Sequence, residues 1–355
     1  MDERGLEKLG YDEWNQDNAA DYTQDGFSPA RVIEVNRNSY IVSDGLHEMS
    51  AEVTGKFMFG AEGAVDYPTV GDWVVIQAFD NNTYAVIHSV LPRRTLLKRK
   101  EPGRRIDFQL IASNIDFGLV VQSAERLNFN LLDRYFVMLH ESGIQPIAVF
   151  TKIDLLSSSE LASLHGDLSR LRNQYLLVSN TTGEGVEELS DGLIPGKTYC
   201  LLGQSGAGKT SLLNSLLGAK MFKVSEVREK DGKGRHTTAR RQLICLDSGG
   251  IFIDTPGMRE LGNFEIEDGI DQTFEEFSSY IPHCRFSDCT HTHEKGCAVI
   301  EAVEKGDIEE SRYRNYLKIR KESEFYEMQY QEKRRKDKSF GKMIKNYKKH
   351  MKNIE

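Results

Sequence analysis

Between residues 29 and 92 the apolar residues come in short alternating runs: Ala30–Asn36, Ser39–Ser43, Glu48–Val53, Asp72–Ala78 and Thr83–Val90. A period of two sends alternate side chains to opposite faces, which is the signature of a half-buried strand. Turn formers separate the runs: Asn36-Arg37-Asn38, Asp44-Gly45, Gly71-Asp72 and Asp80-Asn81-Asn82. Five such strands predict a small closed β-barrel. An OB-fold is the expected form, although an SH3-like five-stranded sheet has the same strand count. From Asp116 the rhythm changes. Strands are expected at Phe117–Gln122, Pro146–Thr151, Tyr175–Ser179 and Lys197–Leu202, with helices at Asn130–Ser142, Ser157–Arg172 and Lys209–Leu217. Leu243–Asp247 and Gly250–Asp254 close the series as a strand pair. This alternation predicts an α/β domain with a mainly parallel sheet. Beyond about residue 265 the chain reads as helical and charged, and it contains no internal repeat.

Composition narrows the class. Apolar residues make up 39% of the 355 positions, mean hydropathy is -0.49, and no apolar run approaches the ~20 residues of a membrane span. The start, Met1-Asp2-Glu3-Arg4, lacks the basic and apolar regions of a secretory leader. A cytoplasmic protein, monomeric and without membrane contact, is the expectation. Five cysteines in a chain of this length do not form a disulfide framework; Cys200 and Cys245, in short apolar runs, are expected to be buried in strands. Charge is uneven. Residues 1–26 hold eight acids against two bases, whereas 333–352 hold ten Lys/Arg against Asp337 alone, within a chain of net charge -8. The division expected is a polar, poorly ordered N-terminal arm (1–28), barrel (29–92), basic linker (93–110), α/β domain (111–265), helical domain (266–332) and basic tail (333–355).

The motifs carry the chemistry. Gly203-Gln204-Ser205-Gly206-Ala207-Gly208-Lys209-Thr210 fits G-x-x-x-x-G-K-[ST], between a strand and a helix as that motif requires. Its glycines let backbone N–H groups turn toward phosphate oxygens, and the helix N-terminus adds its positive end. Lys209 is placed to reach the β- and γ-phosphates, and the Thr210 hydroxyl, beside Ser211, to ligate Mg²⁺. Asp254-Thr255-Pro256-Gly257 follows an apolar strand, so Asp254 can hold Mg²⁺ through water and the Gly257 N–H can bond the γ-phosphate. Thr151-Lys152-Ile153-Asp154, also at a strand end, fits a guanine-reading pattern. The Asp154 carboxylate can accept from guanine N1–H and the 2-amino group, which adenine lacks; a buried carboxylate left unpaired would be penalised, and that supplies the discrimination. Lys152 would lie along the base, and Ser179-Asn180 stands where a last base-contacting motif is expected. Each short motif is weak alone; their joint occurrence at four strand ends gives the reading its weight.

The order of these motifs is unusual: the guanine-reading segments precede the phosphate loop. With Gly234-Arg235-His236-Thr237-Thr238 and the Cys/His cluster described next, the order resembles the ribosome-small-subunit-dependent GTPases of the RsgA/YjeQ family, over about residues 29–300. The resemblance implies an OB-like barrel, a circularly permuted P-loop GTPase and a zinc-binding helical domain. It also implies GTP hydrolysis stimulated by the 30S subunit during late maturation, with GTP/GDP, the 30S subunit and 16S rRNA as partners. A nucleotide-gated rRNA-binding checkpoint, in which turnover only resets binding, is the alternative. The sequence departs from the family at Thr151 (usually Asn), Asn180 (usually Ala) and Ala207 (commonly Val). Thr151 is expected to lose an amide that would brace the phosphate loop.

Cys284, Cys289, His291 and Cys297 form a compact Cys₃His set suited to one structural Zn²⁺; reduced thiols without metal are the other reading, and His283 and His293 are further imidazoles nearby. Met258 occupies the place of a water-orienting Gln, so slow intrinsic hydrolysis is expected. His236, in the Gly/Lys-rich stretch Lys230–Arg240, is the candidate to position water, the alternative being an exposed loop histidine. Thr237 or Thr238 is expected to complete the Mg²⁺ and γ-phosphate contacts. The linker bases and the tail, where Phe340 and Tyr347 interleave with Lys/Arg, suit RNA phosphates and bases; a long charged helix is the tail's other reading.

Overall fold

The computed structural model describes residues 3–20, 22, 26–36, 39–100, 108–168, 174–218, 241–254 and 268–324. The expected N-terminal arm is largely ordered, which corrects the reading of 1–28. It forms α1 (Glu3–Lys8) and α2 (Glu13–Ala19), the latter capped by Asp12, whose side chain accepts from the Asn15 N–H. Leu6, Leu9 and Ala19 are buried in one core with Trp73 of the barrel and Ile251 of the α/β sheet. Three apolar anchors thus hold down an otherwise acidic segment.

The barrel comprises β1 (Ser28–Val35), β2 (Tyr40–Ser43), β3 (Glu48–Val53), α3 (Gly55–Gly60), β4 (Trp73–Phe79) and β5 (Tyr84–Val90). The strand order β1-β2-β3-β5-β4 closes through a β1–β4 pair, with β3 and β5 parallel and the other pairs antiparallel. That is the OB arrangement. Alternation in the sequence becomes a filled interior of Ala30, Val32, Val42, Met49, Val74, Ile76, Ala85 and Ile87. The expected linker is also corrected in its described part: β6 (Leu96–Lys100) and β7 (Phe108–Ser113) form an antiparallel ribbon, and Arg93 is paired with buried Asp72 at 2.7 Å.

The α/β domain follows as β8 (Phe117–Ser123), α4 (Phe129–Glu141), β9 (Gln145–Thr151), α5 (Ser158–Leu168), β10 (Tyr175–Val178), α6 (Val186–Asp191), β11 (Thr198–Leu202), α7 (Lys209–Leu216), β12 (Arg241–Cys245) and β13 (Ile251–Asp254). Strands run β10-β9-β8-β11-β13-β12, parallel except for β12. The middle of β8, Leu119–Val121, is apolar on both faces because both are covered: Val120 meets the α4 side with Leu132 and Phe136, and Leu119 and Val121 meet Leu212 and Leu213 of α7. β12 also pairs with β1, Glu34 opposite Gln242 and Val35 opposite Arg241. Barrel and α/β sheet therefore make one eleven-stranded sheet, a continuity the strand patterns did not foretell. Cys200 is buried as expected, but Cys245 on β12 is exposed.

Arg31 lies at this joint, buried, with its guanidinium 5.4 Å from the Trp73 ring centroid. It donates to the carbonyls of Leu9, Gly71 (3.3 Å) and Asn114 (3.3 Å) and to Thr198 Oγ1 (2.8 Å). The N-terminal helices, the barrel and β11 thus meet on one side chain.

The C-terminal unit contains α8 (Asp268–Thr273), α9 (Glu275–Ser278), α10 (Ala298–Lys305) and helical residues 310–324. Phe274, Phe277, Val299, Tyr316 and Ile319 form its core, and Val137 of α4 belongs to the same cluster. Arg312 donates to Asp133 of α4, to Glu276 (2.6 Å) and to the Thr273 carbonyl (2.8 Å), while Asn315 donates to the other Asp133 oxygen at 2.6 Å. Arg134 pairs with Glu322 at the rim of this seat. No helix among the described residues is long and apolar enough to cross a membrane.

Candidate functional site

Four parallel strands deliver their C-terminal ends to one edge of the sheet, where ligands of open α/β sheets bind. β9 ends at buried Thr151. Lys152 then takes a left-handed conformation (φ 62°), and Ile153–Leu155 make a 3-10 turn anchored by buried Ile153. Asp154 rides on that turn. Ser179, buried just past β10, donates to Asp154 Oδ1 at 2.5 Å, and its oxygen accepts from the N–H groups of Thr181 and Thr182. This fixes the carboxylate's orientation. Asp154 itself is exposed, so its second carboxylate oxygen is open to a ligand's donors.

β11 runs into the phosphate loop. Gly203 has φ +133°, and a Cβ there would stand 2.1 Å from the Val121 carbonyl oxygen; only glycine lets the loop leave the sheet beside β8. Gly208 has φ +91° and is the N-cap of α7, with no side chain to occupy the first-turn N–H groups. Those donors and the helix dipole face the same space. Lys209 Nζ donates to the carbonyls of Gly203 (2.5 Å) and Gln204 (2.7 Å). Thr210 is exposed and Ser211 half-buried. Asp254, at the end of β13, is raised above the usual carboxylate range by burial, against the pull of the Lys209 ammonium.

Thr151 lacks the amide, as its residue type dictates, and braces the phosphate loop with its hydroxyl instead: its Oγ1 donates to the Ala207 carbonyl at 2.6 Å and also lies 3.3 Å from the Gln122 carbonyl oxygen. Asn180 joins the same contact, its amide nitrogen 3.5 Å from the Gly208 carbonyl oxygen.

Cys284, Cys289, His291 and Cys297 converge in the C-terminal unit, their ligand atoms within 4.8 Å of one another. Cys284 Sγ lies 3.9 Å from Cys297 Sγ, and His291 Nδ1 lies 3.6 and 3.4 Å from those sulfurs. Disulfide sulfurs would be ~2.05 Å apart. A tetrahedron with ~2.3 Å metal–sulfur and ~2.0 Å metal–nitrogen bonds spaces its corners ~3.5–3.8 Å. The group therefore fits a metal ion. His291 is held at φ 61°, and its carbonyl accepts from the Tyr313 hydroxyl at 2.6 Å. Among the described residues the group takes in neither His283 nor His293.

Gly234-Arg235-His236-Thr237-Thr238, Gly257, Met258 and the basic tail lie outside the described residues. Sequence reading missed the seat built from Asp133, Glu276, Arg312 and Asn315: its members are spread over 182 positions, and no local spacing betrays them.

Residues 90–264 match the family model described as RsgA GTPase. The chain is 42% identical over 301 residues to the small ribosomal subunit biogenesis GTPase RsgA 1 of Oceanobacillus iheyensis, covering 84% of this chain and 86% of that one. Its structure resembles that of YjeQ from Thermotoga maritima, with TM-score 0.65, 29% identity, and 84% of this chain matched to 98% of the other. It shares the fold of YloQ, a circularly permuted GTPase, with TM-score 0.63, 23% identity and coverage of 86% and 98%.

Proposed function

Since this chain belongs to the RsgA GTPase family, we propose that its GTP hydrolysis is stimulated by the small (30S) ribosomal subunit and serves late maturation of that subunit in the cytoplasm. The observation that carries the reading is the gathering of Thr151–Asp154, Ser179, Gly203–Thr210 and Asp254 at one sheet edge, in permuted order, in a chain whose relatives bear the name of small ribosomal subunit biogenesis.

The residues divide the work as follows. Asp154, oriented by Ser179, accepts from guanine N1–H and the 2-amino group, with Lys152 along the base plane and Ile153 anchoring the turn. Backbone N–H groups from Gly203 to Lys209, the α7 N-terminus and the Lys209 ammonium receive the phosphates. Thr210, Thr237 and Asp254 are the side chains for Mg²⁺, which would neutralise charge developing between the β- and γ-phosphates. The Gly257 N–H meets the γ-phosphate, Thr238 supports Thr237, and His236 positions the attacking water that Met258 cannot orient. Cys284, Cys289, His291 and Cys297 hold one structural Zn²⁺; four protein ligands leave no open position for catalysis. Arg93 and Arg94 are engaged by Asp72 and Asp12, so the bases of 98–105 and the tail 333–352 contact 16S rRNA phosphates, as a monomer.

The alternative, a nucleotide-gated rRNA-binding checkpoint, is favoured by one observation, Met258 in the glutamine's place. Single-turnover hydrolysis with and without 30S subunits separates the two. Stimulation of roughly 10³-fold or more, within the range known for externally completed GTPase sites, is expected, and His236→Ala should keep GTP binding while losing most of it. Tight GTP-dependent subunit binding without stimulation would favour the checkpoint. GTP turnover indifferent to the subunit, with no subunit binding, would remove both.

A further inference from the structure

The two departures from the family pattern at the base-reading strands, Thr151 and Asn180, meet on consecutive carbonyls of the phosphate loop. Thr151 Oγ1 donates to Ala207 O at 2.6 Å, and Asn180 Nδ2 approaches Gly208 O at 3.5 Å. Both side chains also close over Gly208 itself. A Cβ on that residue would meet Thr151 Oγ1 at 3.2 Å and Asn180 Nδ2 at 3.3 Å, so the loop backbone lies as near to them as a glycine allows. Thr151 is fully buried, and Asn180 Oδ1 is buried with no partner.

Peptide geometry turns these contacts into a statement about phosphate binding. In a trans peptide the C=O and the following N–H point in opposite directions. Holding Ala207 O toward β9 aims the Gly208 N–H the other way, and holding Gly208 O toward Asn180 does the same for the Lys209 N–H. These are donors of the phosphate cradle at the start of α7, where Gly208 O also accepts from the Leu212 N–H at 2.9 Å. One asparagine amide at position 151 could perform the task alone; here a hydroxyl and an amide share it from two strands.

We propose that Thr151 and Asn180 are paired positioning residues that orient the Gly208 and Lys209 N–H donors toward the nucleotide's phosphates, tying the base-reading end of the site to its phosphate-reading end. This rests on the guanine-nucleotide reading of the site. It predicts a selective loss: phosphate recognition weakens while base recognition stays.

The test compares GDP with guanosine on the full chain, the first by calorimetry and the second by ligand-observed NMR. Thr151→Val should weaken GDP about tenfold, as the loss of one short hydrogen bond implies; Asn180→Ala, which removes a longer contact, should weaken it about threefold, and both should leave guanosine within about twofold. The double variant should lose less than the product of the two, because both act on one backbone segment. Thr151→Ser keeps the hydroxyl and should keep GDP affinity. Thr151→Asn should restore most of the GDP affinity of Asn180→Ala. GDP affinity unchanged in both single variants, or GDP and guanosine affinity lost in equal proportion, would overturn the pairing. A wild-type chain that binds neither GDP nor guanosine would instead overturn the nucleotide reading, and the pairing with it.

Discussion

Two arginines span the two joints of this molecule, Arg31 buried and Arg312 partly exposed, and they are held in opposite ways. Arg31 joins the barrel to the α/β domain with carbonyls, one hydroxyl and a tryptophan face as its partners. Burial pushes its pKa down to about 10, against distant carboxylates such as Asp116. It remains charged at neutral pH, but at a penalty. Arg312 joins the C-terminal unit to α4, and there burial also opposes the charge, yet the carboxylates of Asp133 and Glu276 outweigh it and raise the pKa. The first joint is backed by a strand pair and by apolar residues shared among three segments. The second rests on ion pairs around a smaller apolar contact. A joint of continuous sheet resists opening; a joint of charge pairs can exchange partners.

The largest effect should come from the metal group. Chelation, or Cys289→Ala, removes a site whose binding energy in small zinc domains is about 10–16 kcal/mol. The C-terminal unit should unfold while GDP binding and the barrel joint persist, as followed by metal analysis and limited proteolysis. Loss of GDP binding in parallel would mean that the joints are not independent.

Next, Arg312→Met leaves Asp133 buried beside Glu276 without a cation. About 3–5 kcal/mol of docking stability should be lost, read as early protease sensitivity of residues after 268. Adding Asp133→Leu should recover part of it, since replacing a whole buried pair is far milder than halving it. An unchanged digestion pattern in Arg312→Met would remove the clamp from the account.

Arg31→Lys should be milder, about 1–3 kcal/mol, since a lysine cannot reach all four acceptors and leaves buried carbonyls unpaired. Barrel and α/β domain should still unfold together in calorimetry. Two separated transitions would show that the shared strand pair does not couple them.

The smallest effect concerns pH. Burial favours the neutral form of Asp12, but the bidentate Arg94 pair (2.6 and 2.7 Å) and the Asn15 N–H prevail and hold its pKa below the usual carboxylate value. A depressed folded-state pKa stabilises above the unfolded value of about 3.9, and this contribution disappears as pH falls through the folded value. Both side chains are about a third exposed or more, so the gain is below about 1 kcal/mol. Asp12→Asn should lower the melting temperature slightly at pH 7 and by progressively less as pH falls below the unfolded carboxylate value of about 3.9; an equal shift across that range would exclude the ion pair as its cause.

What the sequence made legible is whatever depends on local spacing. The phosphate loop, the Asp154 turn and the Cys₃His group are each written within about fifteen residues, and the structure places each set together. Alternation also announced the five barrel strands. A short helix in the N-terminal arm was open to the sequence reading, but its docking was not, because Leu6 and Leu9 are sparse among acids and find their purpose only against Trp73 and Ile251. The basic stretch after Arg93 looked like a linker because Lys98 and Arg99 mask the strand that pairs with Gln109 and Leu110. The brace that the Thr151 hydroxyl supplies was not legible for a simpler reason: the atom it meets is a backbone carbonyl 56 positions away, and residue type says nothing about that.

The placement of β11 between β8 and β13 has a consequence for how the chain is made. Synthesis proceeds from the N-terminus, and completed segments fold as they emerge. The base-reading strands β9 and β10 are therefore available before the phosphate loop exists. Until β11 appears, β8 is an open sheet edge with apolar side chains on both faces, Leu119 and Val121 on one and Val120 on the other. Such an edge is prone to pair with another chain. An ordinary motif order would make the phosphate-loop strand first; the permuted order makes it the piece that closes the sheet. Between the emergence of residue 123 and that of residue 202 the nascent chain therefore carries this open edge, and it has no phosphate loop with which to grip a nucleotide.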